Sequence, residues 1–326
     1  MKKINFLIVI AAFTFNAGFA QQKTVNSEQQ KMNTFINKLL SKMTVDEKIG
    51  QLNLVTGGEA TTGSAVSTGV EAKIAKGDVG GIFSLTTPQK IRKAQEIAMR
   101  SRLKIPMIFG QDVIHGYKTT FPIPLALAAS WDLPMIQKTA RIAAQEATAD
   151  GLNWTFSPMV DIARDARWGR IAEGSGEDTY LGSQIAKVMV RGYQGNDLAA
   201  NNTLMACVKH FALNNQETNR NSVDVIVDDR ALYEIYLPAF KAAVQEGDVW
   251  SIMGSYNKYK GQQCCHNEYL LNDILRGEWG FKGVVVSDWG GVNDTKQAIF
   301  NGLDLEFGSW TNGLTWGTSN AYDNYY

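Results

Sequence analysis

The chain of 326 residues is poor in cysteine and histidine, with three of each. Cys207, Cys264 and Cys265 are odd in number and two are adjacent, which excludes a disulfide framework. His115, His210 and His266 lie far apart and lack metal-ligand spacing with the cysteines, so no structural zinc is expected. Charge of either sign is not in excess. Thirty-two Lys and Arg balance thirty-two Asp and Glu, without a block of like charge. That balance argues against nucleic acid or an anionic membrane surface as partner and points to a neutral target. A Gly-rich dinucleotide loop and an internal repeat are also missing.

Near the start, the apolar stretch Phe6 to Phe15 follows Lys2 and Lys3 and precedes the small residues Gly18 and Ala20. This basic, apolar, small order is that of a secretory signal, and the stretch is short for a membrane anchor. The expectation is cleavage after Ala20 and a periplasmic or secreted protein. No Cys stands at the signal's end to take a lipid.

What is present suits a globular protein: 44% hydrophobic and 10% aromatic residues, enough for one large domain or two small ones. A helix is predicted from Ser27 to about Lys42, and Thr44 with Glu47 makes a capping box for a second. Strands are then predicted at Leu52–Val55, Gly81–Leu85, Ile105–Phe109, Trp154–Ser157, Leu204–Val208, Trp250–Ser255, Val284–Ser287 and Leu303–Phe307. Helices are predicted between them at Pro88–Arg102, Leu133–Ala149, Leu181–Gln194, Asp229–Glu246 and Glu268–Trp279. Eight strands alternating with helices imply an α/β fold, a (β/α)8 TIM-like barrel. A doubly wound open sheet is the alternative. The barrel is expected to be irregular and incomplete at its C-terminus, because Trp310 to Tyr326 does not read as an eighth helix.

Polar groups follow five of these strands. Asp288, in Val284–Gly291 (VVVSDWGG), closes a run of three valines, where barrel enzymes keep their chemistry. Capping of the following helix is its competing role. Trp289 beside it offers a flat apolar face for a sugar ring. Asp112 in Gly110–Gly116 (GQDVIHG) can accept two hydroxyl hydrogen bonds or simply make a turn. Arg170 stands out of the charged loop Arg164–Arg170 because Gly169 lets the backbone come close; most of that loop, with Glu173, reads as a solvated ion-pair network. Lys209 and His210 leave the fifth strand on opposite sides unless the strand breaks there. Tyr256 can donate to a ring oxygen or to a catalytic carboxylate, or be a satisfied core tyrosine.

Together these residues resemble glycoside hydrolase family 3, the β-glucosidase family. The resemblance is carried by KMTVDEKIGQL (Lys42 to Leu52), Asp112 in QDVIHG, RDARWGR with GEDTY, Lys209-His210, Tyr256 in GSYN and SDW at Asp288, in order over nearly all of residues 21–326. It implies a retaining, exo-acting enzyme that releases terminal glucose from β-linked glucosides or gluco-oligosaccharides, with no cofactor or metal. Asp288 falls at the nucleophile's position. Asp112, Arg170, Lys209 and His210 fall where the family grips sugar hydroxyls, and Tyr256 and Trp289 line the same subsite. A retaining mechanism needs two carboxyl groups about 5–5.5 Å apart. Lys209 and Arg170 are expected to keep Asp288 ionised. Typical members of this type carry the acid/base Glu on a second α/β domain, expected here on a missing or separately encoded downstream domain. A branch acting on N-acetylglucosaminides uses an Asp-His pair after the Lys-His strand instead; here that loop, Asn214 to Asp224, has no His. A sugar-binding remnant without catalysis and a Schiff-base lyase using Lys209 are the other readings.

The signal pattern predicts loss of Met1 to Ala20 on export. N-terminal sequencing of protein from cells should find a chain beginning at Gln21; soluble material that retains Met1 would contradict export.

Overall fold

The computed structural model describes residues 29–57, 69–85 and 87–308. Residues up to Lys48 form one compact unit and those from Ile49 another. In the first, residues 29–40 are helical, and the capping box forms as expected. Thr44 N–H donates to Glu47 Oε2 at 2.9 Å and Glu47 N–H to Thr44 Oγ1 at 3.2 Å. Ser27, the signal region, residues 58–68 and the tail from Trp310 lie outside the described residues.

The second unit is built on eight parallel strands: β1 (Asn53–Thr56), β2 (Gly81–Phe83), β3 (Ile108–Gln111), β4 (Trp154–Thr155), β5 (Met205–Phe211), β6 (Ser251–Gly254), β7 (Val284–Ser287) and β8 (Glu306–Phe307). They pair in chain order from β1 to β7, and β8 lies against β1. A parallel bridge between Val286 and Leu305 joins β7 to the start of β8 and closes the ring. Ser287 N–H donates to Leu305 O and Leu305 N–H to Val285 O, both at 3.0 Å. Ser287 Oγ then accepts from Phe307 N–H at 2.8 Å. This is the expected (β/α)8 barrel, closed at its eighth strand. The place of the eighth helix falls outside the described residues.

Strand period 2 sorts side chains into two layers. Leu54, Phe83, Trp154, Phe156, Cys207, Met253, Val286 and Phe307 fill the barrel's interior. Val55, Ile82, Phe109, Ala206, Val208, Ile252 and Val285 point outward to the helices. The interior is aromatic: Phe156 lies 4.7 Å from Trp154, 5.4 Å from Phe83 and 5.7 Å from Phe307, centroid to centroid. The buried Trp154 Nε1–H is satisfied by Ser251 Oγ at 2.7 Å. Outside, the helices at Leu133–Ala149 and Thr179–Gln194 approach closely along an alanine stripe. A Cβ at Gly192 would come within 2.5 Å of Gln137 O, so only glycine fits there.

Several boundaries differ from expectation for local reasons. The third strand begins at Ile108 rather than Ile105, because Pro106 has no N–H to pair and Lys104 turns the chain with φ 55. The helix expected at Asp229–Glu246 breaks before Pro238 into a wide turn over Leu232–Tyr236 and a helix at Pro238–Gln245. The segment Tyr269–Glu278 is also wide-turned, closed by Trp279 N–H onto Ile274 O at 2.9 Å. Short helices at Val70–Lys76, Pro124–Ala129 and Thr295–Phe300, and a three-stranded ribbon near residue 260, were not expected.

Phe156 is 1% exposed at the centre of the aromatic interior. Phe156→Ala should destabilise the barrel by about 3–5 kcal/mol, read as a lower urea midpoint with an unchanged slope.

Candidate active site

In a parallel barrel all strands point their C-terminal ends to one mouth, and five of the expected polar groups stand there. Asp288 directly follows β7. It does not cap the next helix: Asp294 does, accepting from Gln297 N–H at 2.9 Å. Two donors hold one oxygen of Asp288, Oδ1. These are the Tyr256 hydroxyl at 2.8 Å and the Trp289 N–H at 2.6 Å. Its other oxygen, Oδ2, stands 3.4 Å from His210 Nε2. Tyr256 is thus not a core tyrosine satisfied elsewhere. Trp289 sets its ring edge-on against Phe307, with centroids 4.6 Å apart.

Lys209 and His210 both face the mouth because β5 is irregular. Val208 and Phe211 both belong to the outer layer, and the register with β6 shifts between Lys209 and Phe211. One extra residue is therefore accommodated in the strand, and both side chains turn inward. The peptide between Lys209 and His210 is cis. Lys209 Nζ pairs with Asp112 Oδ1 at 2.7 Å. Arg170 makes a fork onto Glu173, at 2.8 and 3.0 Å.

Asp161 escapes the strand-end patterns used above, yet it organises this side of the mouth. Its Oδ2 accepts from His210 N–H at 3.0 Å and lies 2.8 Å from His210 Nδ1. Both residues are fully buried. A lone carboxylate inside the apolar run Met159–Ile162 is the signal that could have found it. Burial, reinforced by Arg170, Lys209 and Arg220, holds the His210 imidazole well below the ordinary histidine range. Burial also pushes the Asp161 carboxyl well above the ordinary aspartate range, and with Nδ1 engaged by Asp161 the neutral ring turns Nε2 toward Asp288. Nε2 and Asp288 Oδ2 then stand side by side, 3.4 Å apart, two polar atoms that one ligand hydroxyl can contact.

Glu217 and Arg220, from the loop after β5, were also not singled out. Trp168 Nε1–H donates to Glu217 at 3.0 Å, and Glu217 pairs with Arg220 at 2.6 Å. Arg220 lies over the Tyr256 ring, 4.3 Å from its centroid.

The electrostatics of Asp288 differ from expectation. Burial pushes its carboxyl above the ordinary aspartate range; Lys209, the Trp289 N–H, the Tyr256 hydroxyl and Arg170 oppose that shift without cancelling it. The desolvation of this buried group outweighs neighbouring cations that are themselves committed to Asp112 and Glu173.

The fold and this mouth define a (β/α)8 barrel centred on a buried, doubly hydrogen-bonded carboxylate. The chain belongs to glycoside hydrolase family 3: residues 44–301 match the family's N-terminal domain. It is 44% identical over 262 residues to a periplasmic beta-glucosidase of Salmonella typhimurium, covering 80% of this chain and 34% of the relative. It is likewise 44% identical over 243 residues to a beta-glucosidase of Bacteroides ovatus, covering 69% of this chain and 32% of the relative. Among solved structures, a mutant beta-glucosidase of Listeria innocua in complex with laminaribiose superposes with a TM-score of 0.76 at 36% identity. That match covers 85% of this chain and 42% of the other. The same enzyme in complex with glucose gives a TM-score of 0.75. The chain therefore spans about a third of the length of these curated relatives.

Because the folded-state pKa of Asp288 is raised, its contribution favours folding below the unfolded value and turns against folding as pH rises through the folded value. Asp288→Asn should therefore melt higher than the wild type near neutral pH. The gain should shrink toward about pH 4, where unfolded aspartate is half protonated. Thermal unfolding of both proteins across that range tests the sign.

Proposed function

We propose that this chain carries the nucleophile and the glucose-binding subsite of an exported, retaining, exo-acting β-glucosidase, with Asp288 as nucleophile. The observation that carries this reading is the asymmetric hold on Asp288. Oδ1 is occupied by two donors, which leaves Oδ2 to attack an anomeric carbon. As the Oδ2–C1 bond forms and the bond to the aglycone oxygen breaks, Oδ1 becomes the ester carbonyl, still held by Tyr256 and Trp289. Burial makes the carboxylate basic, which favours sharing its charge with the developing positive charge of the sugar.

Asp112, Lys209, His210 and Arg170 are proposed to bind the hydroxyls of the terminal sugar, with Tyr256 and Trp289 lining the same subsite. Asp112 and Lys209 offer an acceptor and a donor set in one ion pair. His210 Nε2 adds a ring nitrogen beside Asp288 Oδ2. Export is supported by the signal pattern and by the similarity to a periplasmic beta-glucosidase. No described helix is long and apolar enough to cross a membrane.

The acid/base is proposed to come from a second domain. Each of the carboxylates described around Asp288 is already committed: Asp112 to Lys209, Asp161 to His210, Glu173 to Arg170, and Glu217 to Trp168 and Arg220. A general acid must hold a proton within reach of the leaving oxygen, which the ion-paired Asp112, Glu173 and Glu217 do poorly, and Asp161 is fully buried beside His210. The Lys209 ammonium is likewise held by a carboxylate, unlike the uncharged amine that a Schiff-base lyase needs.

An activated substrate separates these readings. A dinitrophenyl 2-deoxy-2-fluoroglucoside needs no proton donor, so the folded chain should gain one sugar mass, on Asp288 by peptide mapping, and Asp288→Asn should gain none. With an ordinary dinitrophenyl glucoside, phenol release should show a burst near one equivalent, then slow turnover, because general acid–base assistance is worth about 10²–10⁴-fold. Labelling of another carboxylate removes Asp288 as nucleophile. No labelling of folded protein favours a sugar-binding module without catalysis.

A further inference from the structure

Four loops of the mouth are tied into one chain of contacts that ends on Asp288. Trp168, in the loop after β4, donates to Glu217, in the loop after β5, at 3.0 Å. Glu217 anchors Arg220 at 2.6 Å. The Arg220 guanidinium lies over the ring of Tyr256, after β6, at 4.3 Å from the centroid. The Tyr256 hydroxyl donates to Asp288, after β7, at 2.8 Å.

We propose that Arg220 is a positioning residue that acts on Asp288 through Tyr256, fixing the ring and strengthening its hydroxyl as a hydrogen-bond donor to Oδ1. A cation over an aromatic face is attracted by the ring's electron density and draws it away from the hydroxyl. The phenol is 6% exposed, so water screens this effect little. Burial and the Asp288 charge both disfavour loss of the phenolic proton, and Arg220 is the neighbour that opposes them. Glu217 keeps the guanidinium over the ring rather than free to swing into the mouth.

The inference rests on Asp288 as nucleophile, and both half-reactions use the bond concerned. When the ester forms, Oδ2 bonds to C1 and the aglycone oxygen leaves with its electron pair. When an incoming nucleophile attacks C1, the C1–Oδ2 pair returns to the carboxylate and Oδ1 regains charge. A stronger donor on Oδ1 stabilises that returning charge.

The test uses the full chain and the dinitrophenyl 2-deoxy-2-fluoroglucoside, following ester formation and then its discharge by azide, an anion that needs no base. Arg220→Met keeps an apolar stem on the ring and removes the charge; Arg220→Lys restores a cation; Tyr256→Phe removes the hydroxyl. Arg220→Met should slow discharge about tenfold and leave the half-saturating reagent concentration unchanged. Arg220→Lys should recover most of the loss. In the Tyr256→Phe background, Arg220→Met should add less than about twofold, since the two act as one unit. Glu217→Gln, which loosens the anchor alone, should give a smaller loss that also vanishes in the Phe background, and it serves if Arg220→Met does not fold.

Full additivity of the Arg220 and Tyr256 losses overturns the inference while leaving Asp288 as nucleophile. So does a loss confined to the half-saturating concentration, which would make Arg220 an ordinary sugar contact. Folded wild-type protein labelled elsewhere, or not at all, removes the nucleophile assignment and the inference with it.

Discussion

The bridge from Val286 to Leu305 ties β7 to β8 and, through β8, to β1. Without it the eight strands would form an open sheet, and their C-terminal ends would lie along an edge rather than around a mouth. Closure depends on a tight interior, since neighbouring strands can curve back only over side chains that fill the space between them. Phe83, Trp154, Phe156 and Phe307 supply that filling. Phe307 is also the ring on which Trp289, next to Asp288, packs, so the aromatic filling of the barrel reaches the residue beside the carboxylate.

Burial explains the dense pairing around the mouth. A buried charge is costly unless it is paired or hydrogen-bonded. Asp112 with Lys209, Asp161 with His210, Glu173 with Arg170 and Glu217 with Arg220 meet that requirement two by two. Two of these pairs, Asp112 with Lys209 and Asp161 with His210, tie the segments after β3 and β4 to β5, so they also brace the rim. The same pairing restricts what the mouth can do: its cations hold carboxylates, and Asp288 is the carboxylate whose second oxygen faces a neutral imidazole rather than a cation. The uncharged, hydroxyl-rich ligand proposed for the mouth accords with this arrangement and with the balanced charge of the whole chain.

The strands were legible where residue type and burial agree. Val284–Ser287 reads as a buried parallel strand because three β-branched residues leave no polar face. The capping box at Thr44 and Glu47 was legible because its bonds are local. The wide turns at Leu232–Tyr236 and Tyr269–Glu278 were not, since they keep the apolar spacing of ordinary helices. Asp161 was missed for a different reason. It follows no glycine or turn, and its importance lies in a partner 49 residues away. Arg220 was missed because a charged residue in a polar loop looks solvated until the ring beneath it is known.

By itself the sequence determined the alternation of strand and helix, the place of Asp288 at a strand's end, and the residue types at the ends of five strands. Those follow from periodicity and turn chemistry, which act over a few residues. Only the tertiary structure decided which oxygen of Asp288 is held, that Lys209 and His210 face one way, and that burial outweighs Lys209 and Arg170 in setting the carboxyl's protonation. Each of these is a balance between groups brought together by ring closure and by one extra residue in β5. Such balances depend on distance and water exclusion, which the order of residues along the chain does not contain.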